Sequence, residues 1–342
     1  MVRRRAISDA DSARGIEFIG FDRGTAVMIF SRYESRDPSS PDHLTDFVRR
    51  HIDELKDESN GWLKISTPTQ AMTRLGISQY IQDAILNPQF EILYKTESLH
   101  FWLTDTLRSN YWTLQQMLRN GTGDGASTKL NAEHFQETTK ALLPNHTILY
   151  RGQSAAELDQ ELRQDIQNDG RLDLSRIWDD GHGDFNHQCS TTYFTPQHET
   201  AELWRAYMAR RCKYTETWLI MIQVPNAFLA SLRQKELWYS PEWLEYVWHS
   251  RRDGYRWYGG PGPSAQLVKG HVCSNCERIS SLDISDIPQK IQDSDVMRLP
   301  SGRKAEQWAI SDEWVLKRMN GFVHGKVHVQ VHGPRRIVAY RQ

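Results

Sequence analysis

The sequence predicts an α+β fold, with a mainly helical N-terminal region followed by a domain of small sheets and helices. Three observations predict it. Apolar residues recur at helical spacing through residues 77–118. Short apolar runs at 148–150 and 218–224 have the length of strands, the second stopped by Pro225. The polar, glycine-rich stretch 120–127 separates the helical stretch from these runs and is the preferred boundary. The two regions are therefore 1–125, helical with a β-hairpin, and 130–342, α+β.

Taken in order, residues 16–21 and 25–30 flank Asp22-Arg23-Gly24 and read as a hairpin with glycine at the turn. Residues 35–42 form a loop whose end can cap a helix over 43–55. Within 77–118, Ile77, Tyr80, Ile81, Ala84 and Ile85 follow one helical face, and Leu99, Trp102, Leu103, Thr106 and Leu107 another. After the boundary come a helix over 132–142, a strand over 147–150 and a helix over 155–167. Residues 189–204 read as a short strand turning into a helix. The run 218–224 is a buried strand. Residues 241–252 start with proline at a helix's first turn and end in cations. The glycine- and proline-rich stretch 254–263 is a loop, and 265–272, 306–311 and 326–332 are further strands.

Composition bounds the function. A chain of 342 residues is long enough for about two domains. With 42 basic against 43 acidic residues, no dominating field attracts nucleic acid or an anionic membrane, and neither is an expected partner. Hydrophobic residues at 39% imply a strongly polar surface, while 12 tryptophans argue against disorder. Basic residues at 3–5 have no apolar run behind them, so no secretory signal is read, and no stretch approaches the roughly 18 apolar residues of a membrane span. Four cysteines make no disulfide framework in a chain of this length. The expectation is a soluble, cytoplasmic protein.

Two motifs carry the chemistry. Tyr150-Arg151-Gly152 ends an apolar strand. An arginine there offers a fixed fork to a pyrophosphate or ribose, and a glycine beside it lets the backbone approach a ligand. Further on, Ser190-Thr191-Thr192-Tyr193-Phe194 leads into a helix through Trp204. In this order the motifs resemble the first two of the ADP-ribosyltransferase fold, in which NAD lies in a cleft between two small sheets. The resemblance covers roughly residues 145–320 and implies split sheets around that cleft, with NAD as substrate. In the arginine-specific toxin branch, Arg-Gly at the end of the first strand anchors NAD, which Arg151 and Gly152 match. A Ser-Thr-Ser motif there braces the cleft, and Ser190, Thr191 and Thr192 resemble it. In the polymerase branch a Tyr-Phe pair opens a similar helix and its tyrosine stacks on nicotinamide, which gives that role to Tyr193, beside Phe194.

Breaking the bond between ribose and nicotinamide makes the sugar oxocarbenium-like. The protein must hold the dinucleotide bent and set a negative group near the developing cation, as carboxylates do in glycoside hydrolysis. The family's catalytic glutamate begins a later strand ahead of an apolar run. Glu306-Gln307-Trp308-Ala309-Ile310 has that form, so Glu306 is the first choice. Toxin members carry another Glu or Gln two residues earlier, where this chain has Lys304, a departure that speaks against arginine as acceptor. A register shifted by one would put Gln307 in the catalytic position. Glu242 and Glu245, three apart on one helix face, are rival carboxylates.

Other signals are weaker. Cys273 and Cys276 have zinc-knuckle spacing, but a closed site needs Cys189, Cys212, His249 or His271 gathered beside them, and no metal is expected. Residues 182–187, with His182 and His187, read as a loop leading into the motif strand. Arg205, Arg210, Arg211 and Lys213 read as cations at a helix C-terminus. The expected activity is cleavage of NAD with transfer of ADP-ribose to a protein side chain or to water. Its competitor is a degenerate, non-catalytic member of the same fold that binds a protein or nucleotide.

Overall fold

A computed structural model describes residues 9–53, 56–57, 61–62, 67–119, 141–158, 171–177, 183–185, 191–251 and 265–334. The boundary stretch 120–127, most of the expected helices over 132–142 and 155–167, the loop 254–263, and His182, His187, Cys189 and Ser190 lie outside the described residues.

The described part of the first region is mainly helical. Residues 16–34, expected as a hairpin, form α1 (Ala13–Ile19) and α2 (Arg23–Glu34) instead. The reason is local. Ser12 caps α1 by accepting from the Gly15 N–H, Gly20 at φ 141° ends it, and Asp22 caps α2 by accepting from the Thr25 N–H. Asp22-Arg23-Gly24 is thus a helix start, and Ala26 and Ile29, three apart, face the core. The helix expected over 43–55 is α3 (Leu44–Asp53). A two-residue antiparallel ladder, β1 (Lys56–Asp57) with β2 (Gly61–Trp62), precedes α4 (Pro68–Arg74), α5 (Gln79–Ile85), α6 (Glu91–Tyr94) and the long α7 (Leu99–Arg119).

Two sheets organise the rest. Among the described residues, β3 (His146–Ser154), β5 (Thr217–Pro225) and β9 (Val327–His332) form an antiparallel sheet with β5 in the centre. Its central place explains the unbroken apolar run of β5, buried along nearly its whole length. The second sheet has the order β4 (Thr192–Phe194), β8 (Glu306–Ile310), β7 (Leu267–His271) and β6 (Gln234–Leu237). Tyr150 and Thr195 join the sheets by two backbone hydrogen bonds of 2.7 and 2.9 Å. The helix after β4 is α8 (His198–Arg211). Further helices are α9 (Asn226–Ala230), α10 (Pro241–Arg251), α11 (Cys276–Ser280), α12 (Ile287–Lys290) and α13 (Glu313–Val323). The mixed helix and sheet agree with an α+β class.

One core lies between the sheets. Leu149, Trp218, Ile220, Ile222, Val224, Val327 and Val329 of the first meet Phe194, Leu267 and Ile310 of the second, closed by Val315, Leu316, Met319 and Val323 of α13. Each large side chain buried there contributes roughly 1.5–3 kcal/mol. The other face of the second sheet packs on α10 through Val268, Ala309, Trp243, Leu244 and Val247. The helical core of the first region takes in Tyr207 of α8 and Val272, Met297, Leu299 and Ala305 near β8.

Helix α8 is the element both regions share. Its Tyr207 hydroxyl donates to the Ile85 carbonyl at 2.8 Å. Arg211, expected as a cation at the helix C-terminus, is 2% exposed and donates to Asp105 at 2.7 Å and to the Thr106 hydroxyl at 2.6 Å. Its guanidinium lies 4.7 Å from the ring centres of both Trp102 and Tyr207. A buried partner on α7, rather than the helix dipole, accounts for it. Arg205 is likewise engaged, with Glu202 and with the Thr217 hydroxyl.

Candidate functional site

Strand parity decides which side chains meet. In the first sheet Leu149 pairs with Ile222, Arg151 with Ile220 and Gln153 with Trp218, so Arg151 projects from the face turned toward the second sheet. In the second sheet Phe194 pairs with Trp308, Trp308 with Lys269 and Glu306 with His271, so these five residues share one face. Phe194 belongs to the core between the sheets, which fixes that face as the inner one. Arg151 and Glu306 therefore come from different sheets onto facing surfaces.

Arg151 is 9% exposed. Its Nε donates to Gln153 Oε1 at 3.0 Å and one terminal nitrogen donates to the Tyr193 carbonyl at 3.1 Å, so the guanidinium braces β3 against β4. Gly152 answers to packing: a Cβ there would stand 2.7 Å from the Arg205 backbone nitrogen and closer still to the Ala201 carbonyl. The close approach it permits is that of α8, not of a ligand to the strand. Thr191 exchanges a hydrogen bond of 3.0 Å with Ser311 across the strand end. Two polar atoms of the inner face, Thr192 Oγ1 and Trp308 Nε1, are buried without a hydrogen-bond partner among the described residues. Lys269 Nζ lies 4.3 Å from the Trp308 ring centre.

Glu306 is half-buried at the start of β8. Gln307, the alternative in a shifted register, turns to the other face and donates to Asp184 and to the His271 carbonyl. Between the two, Glu306 is the residue on the inner face. Glu242 reaches Lys235 at 3.0 Å on the exposed start of α10, and Glu245 lies 3.8 Å from His249 on the same helix, which packs on the outer face. Neither is brought to Arg151.

Tyr193 departs from its expected role. It pairs with Ala309, so its ring lies on the outer face beside Phe185 and α10. Its hydroxyl accepts the Phe185 N–H at 2.9 Å, and Gly183 sits so close that a Cβ would strike that hydroxyl. A ring on the outer face does not stack on a ligand held between the sheets. Phe194, 3% exposed, is a core residue.

The segment 183–185 holds a group that sequence reasoning missed. Asp184 is 1% exposed and accepts from Arg251, from the Cys273 N–H at 2.7 Å and from Gln307. Arg251 also pairs with Glu97 of the first region. Such a buried carboxylate needs its cation and amide donors together, and no local signal in the loop announces them. Gln197 is also missed. Its side chain holds the backbone on both sides of Ala305, accepting from the Glu306 N–H at 3.0 Å and donating to the Lys304 carbonyl at 3.0 Å.

Electrostatics follow burial. His271, opposite Glu306, is pulled below the ordinary histidine range by burial, with nearby Lys304 adding to the effect against the bond to the Ala305 carbonyl. Burial pushes the Cys273 thiol well up, and the Asp184 charge adds to it. Cys276 is raised by burial and Cys212 is pushed up to about 12, so these thiols are poor nucleophiles. Among the described residues no group of three or more His, Cys, Asp and Glu is placed to hold a metal, and no helix is long and apolar enough to cross a membrane. In comparisons with protein families, curated proteins and solved structures, the chain matches none.

Proposed function

We propose that the chain cleaves NAD at the nicotinamide–ribose bond in an ADP-ribosyltransferase-like cleft between its two sheets, passing ADP-ribose to a protein side chain or to water. The observation that carries this reading is that strand parity sets Arg151 and Glu306, from different sheets, on the facing surfaces of those sheets. Two buried atoms on that surface without a hydrogen-bond partner among the described residues, Thr192 Oγ1 and Trp308 Nε1, add hydrogen-bonding capacity that a bound oxygen-rich ligand would satisfy. In this reading the Arg151 cation attracts the pyrophosphate while it braces β3 and β4, and Thr191 and Thr192 line the second strand. As nicotinamide departs with the bonding electrons, positive charge grows on the ribose, and the Glu306 carboxylate stabilises it.

The placement of the Tyr193 ring on the outer face favours a second reading, a degenerate cleft that binds without turnover. Nicotinamide release from NAD by the purified wild-type protein and by Arg151→Ala separates the two. Release lost in the variant supports the enzyme. Saturable NAD binding without release supports the binding module, and neither release nor binding refutes an NAD site.

A further inference from the structure

We propose that Gln197 is a positioning residue for Glu306, acting through the backbone of the strand that carries the carboxylate; this rests on the transferase reading above. Strand β4 ends two pairs short of Glu306. Phe194 is the partner of Trp308, so continued pairing would set Pro196 opposite Glu306, and proline has no N–H to give a ladder. The chain leaves the sheet there, and the Gln197 side chain takes over the vacated edge. Its Oε1 accepts the Glu306 N–H at 3.0 Å and its Nε2 donates to the Lys304 carbonyl at 3.0 Å, the two bonds a neighbouring strand's backbone would make.

Gln197 is itself fixed. It is 9% exposed, its N–H donates to the Thr195 hydroxyl at 3.1 Å, and its Oε1 also accepts from Thr200 at 2.7 Å. Two residues along, Glu199 in the first turn of α8 accepts the Ser301 N–H at 3.0 Å, the Ser301 hydroxyl at 2.6 Å and an Arg303 nitrogen at 3.0 Å. The start of α8 thereby holds the turn before β8 and the first residue of β8 together. The same helix rests on Gly152, next to Arg151. One rigid element thus sets both ends of the proposed site, and Gln197 is its contact with the catalytic strand.

The test combines steady-state nicotinamide release with hydrogen exchange of the segment 304–308, on wild type, Gln197→Ala and Gln197→Glu, with a thermal melt on each. Gln197→Ala is expected to lower kcat at least about tenfold with KM for NAD within about twofold, and to speed exchange at the Glu306 amide. Gln197→Glu keeps the acceptor for the Glu306 N–H but sets an oxygen where the Lys304 carbonyl needs a donor, so its kcat and the protection of that amide should fall between those of wild type and the alanine variant, and wild-type values in it overturn the role if the alanine variant does not fold. Full kcat in Gln197→Ala, or unchanged exchange at Glu306, overturns the role of Gln197 while leaving the transferase reading intact. No release by the wild type overturns that reading and the inference with it.

Discussion

Replacing Gly152 with alanine should cost about 2–3 kcal/mol of stability, the upper part of the range for overpacking a filled site. The new Cβ would stand 2.7 Å from the Arg205 backbone nitrogen and 2.9 Å from the Arg205 Cβ, with the Ala201 carbonyl nearer still. Carbon contacts settle at roughly 3.5–4.0 Å, so β3 and α8 would have to part by about 1 Å. None of the blocking atoms is the tip of a flexible side chain, and that excludes a cheap escape. With an m-value of about 3 kcal/mol/M, the urea midpoint should fall by roughly 0.7–1 M. Gly321→Ala is the internal control: it lies on exposed helical backbone, a Cβ there meets nothing within 4 Å, and the change should stabilise by about 0.5–1 kcal/mol. An unchanged midpoint for Gly152→Ala would refute the close packing of α8 on β3.

Other consequences are measured the same way. Arg211→Met leaves the Asp105 carboxylate, 11% exposed, with the longer 3.6 Å contact to the more exposed Arg108 and should cost about 3 kcal/mol, the low end for a broken buried pair, so a loss under about 1 kcal/mol would show the pair to be incidental. Asp184→Ala removes the shared acceptor of Arg251, Gln307 and the Cys273 N–H, and a similar cost is expected, with loss of the near-ultraviolet signal of the Trp243 and Trp248 region. Acid should destabilise early. Burial pulls His249, His271 and His332 below the histidine range, so between their folded values and the unfolded one near 6.5 the unfolded chain binds more protons. Stability present above about pH 6.5 is therefore lost as pH falls through that window. Glu202 adds a later loss: burial raises it, but Arg205 outweighs burial and holds it low, so its contribution fades below about pH 4.3. A urea midpoint that is flat or rising from pH 7.5 to 5.5 would contradict the histidine argument.

Much of the fold is legible because it is written in local pattern. The apolar run of β5, the proline-started α10, the strand at Glu306–Ile310 and the spacing of Leu99, Trp102 and Leu103 in α7 each carry their own signal. Residues 16–34 misled because Asp-Arg-Gly suits a hairpin turn and a helix cap alike, and only the burial of Ile16, Ile19, Ala26 and Ile29 together decides between them. The candidate site was legible in residue type but not in direction. Which face Tyr193, Glu306 and Gln307 present depends on the pairing of β4 with β8, a long-range register that no window of sequence reveals. Gly152, Arg211, Asp184 and Gln197 owe their roles to partners far along the chain.

The central claim is that Glu306 answers a charge that exists only as nicotinamide leaves. The most direct test is single-turnover nicotinamide release by Glu306→Gln beside its NAD affinity from titration. The account predicts release slowed by about 100-fold or more with affinity within about threefold of wild type. Release at the wild-type rate would contradict it.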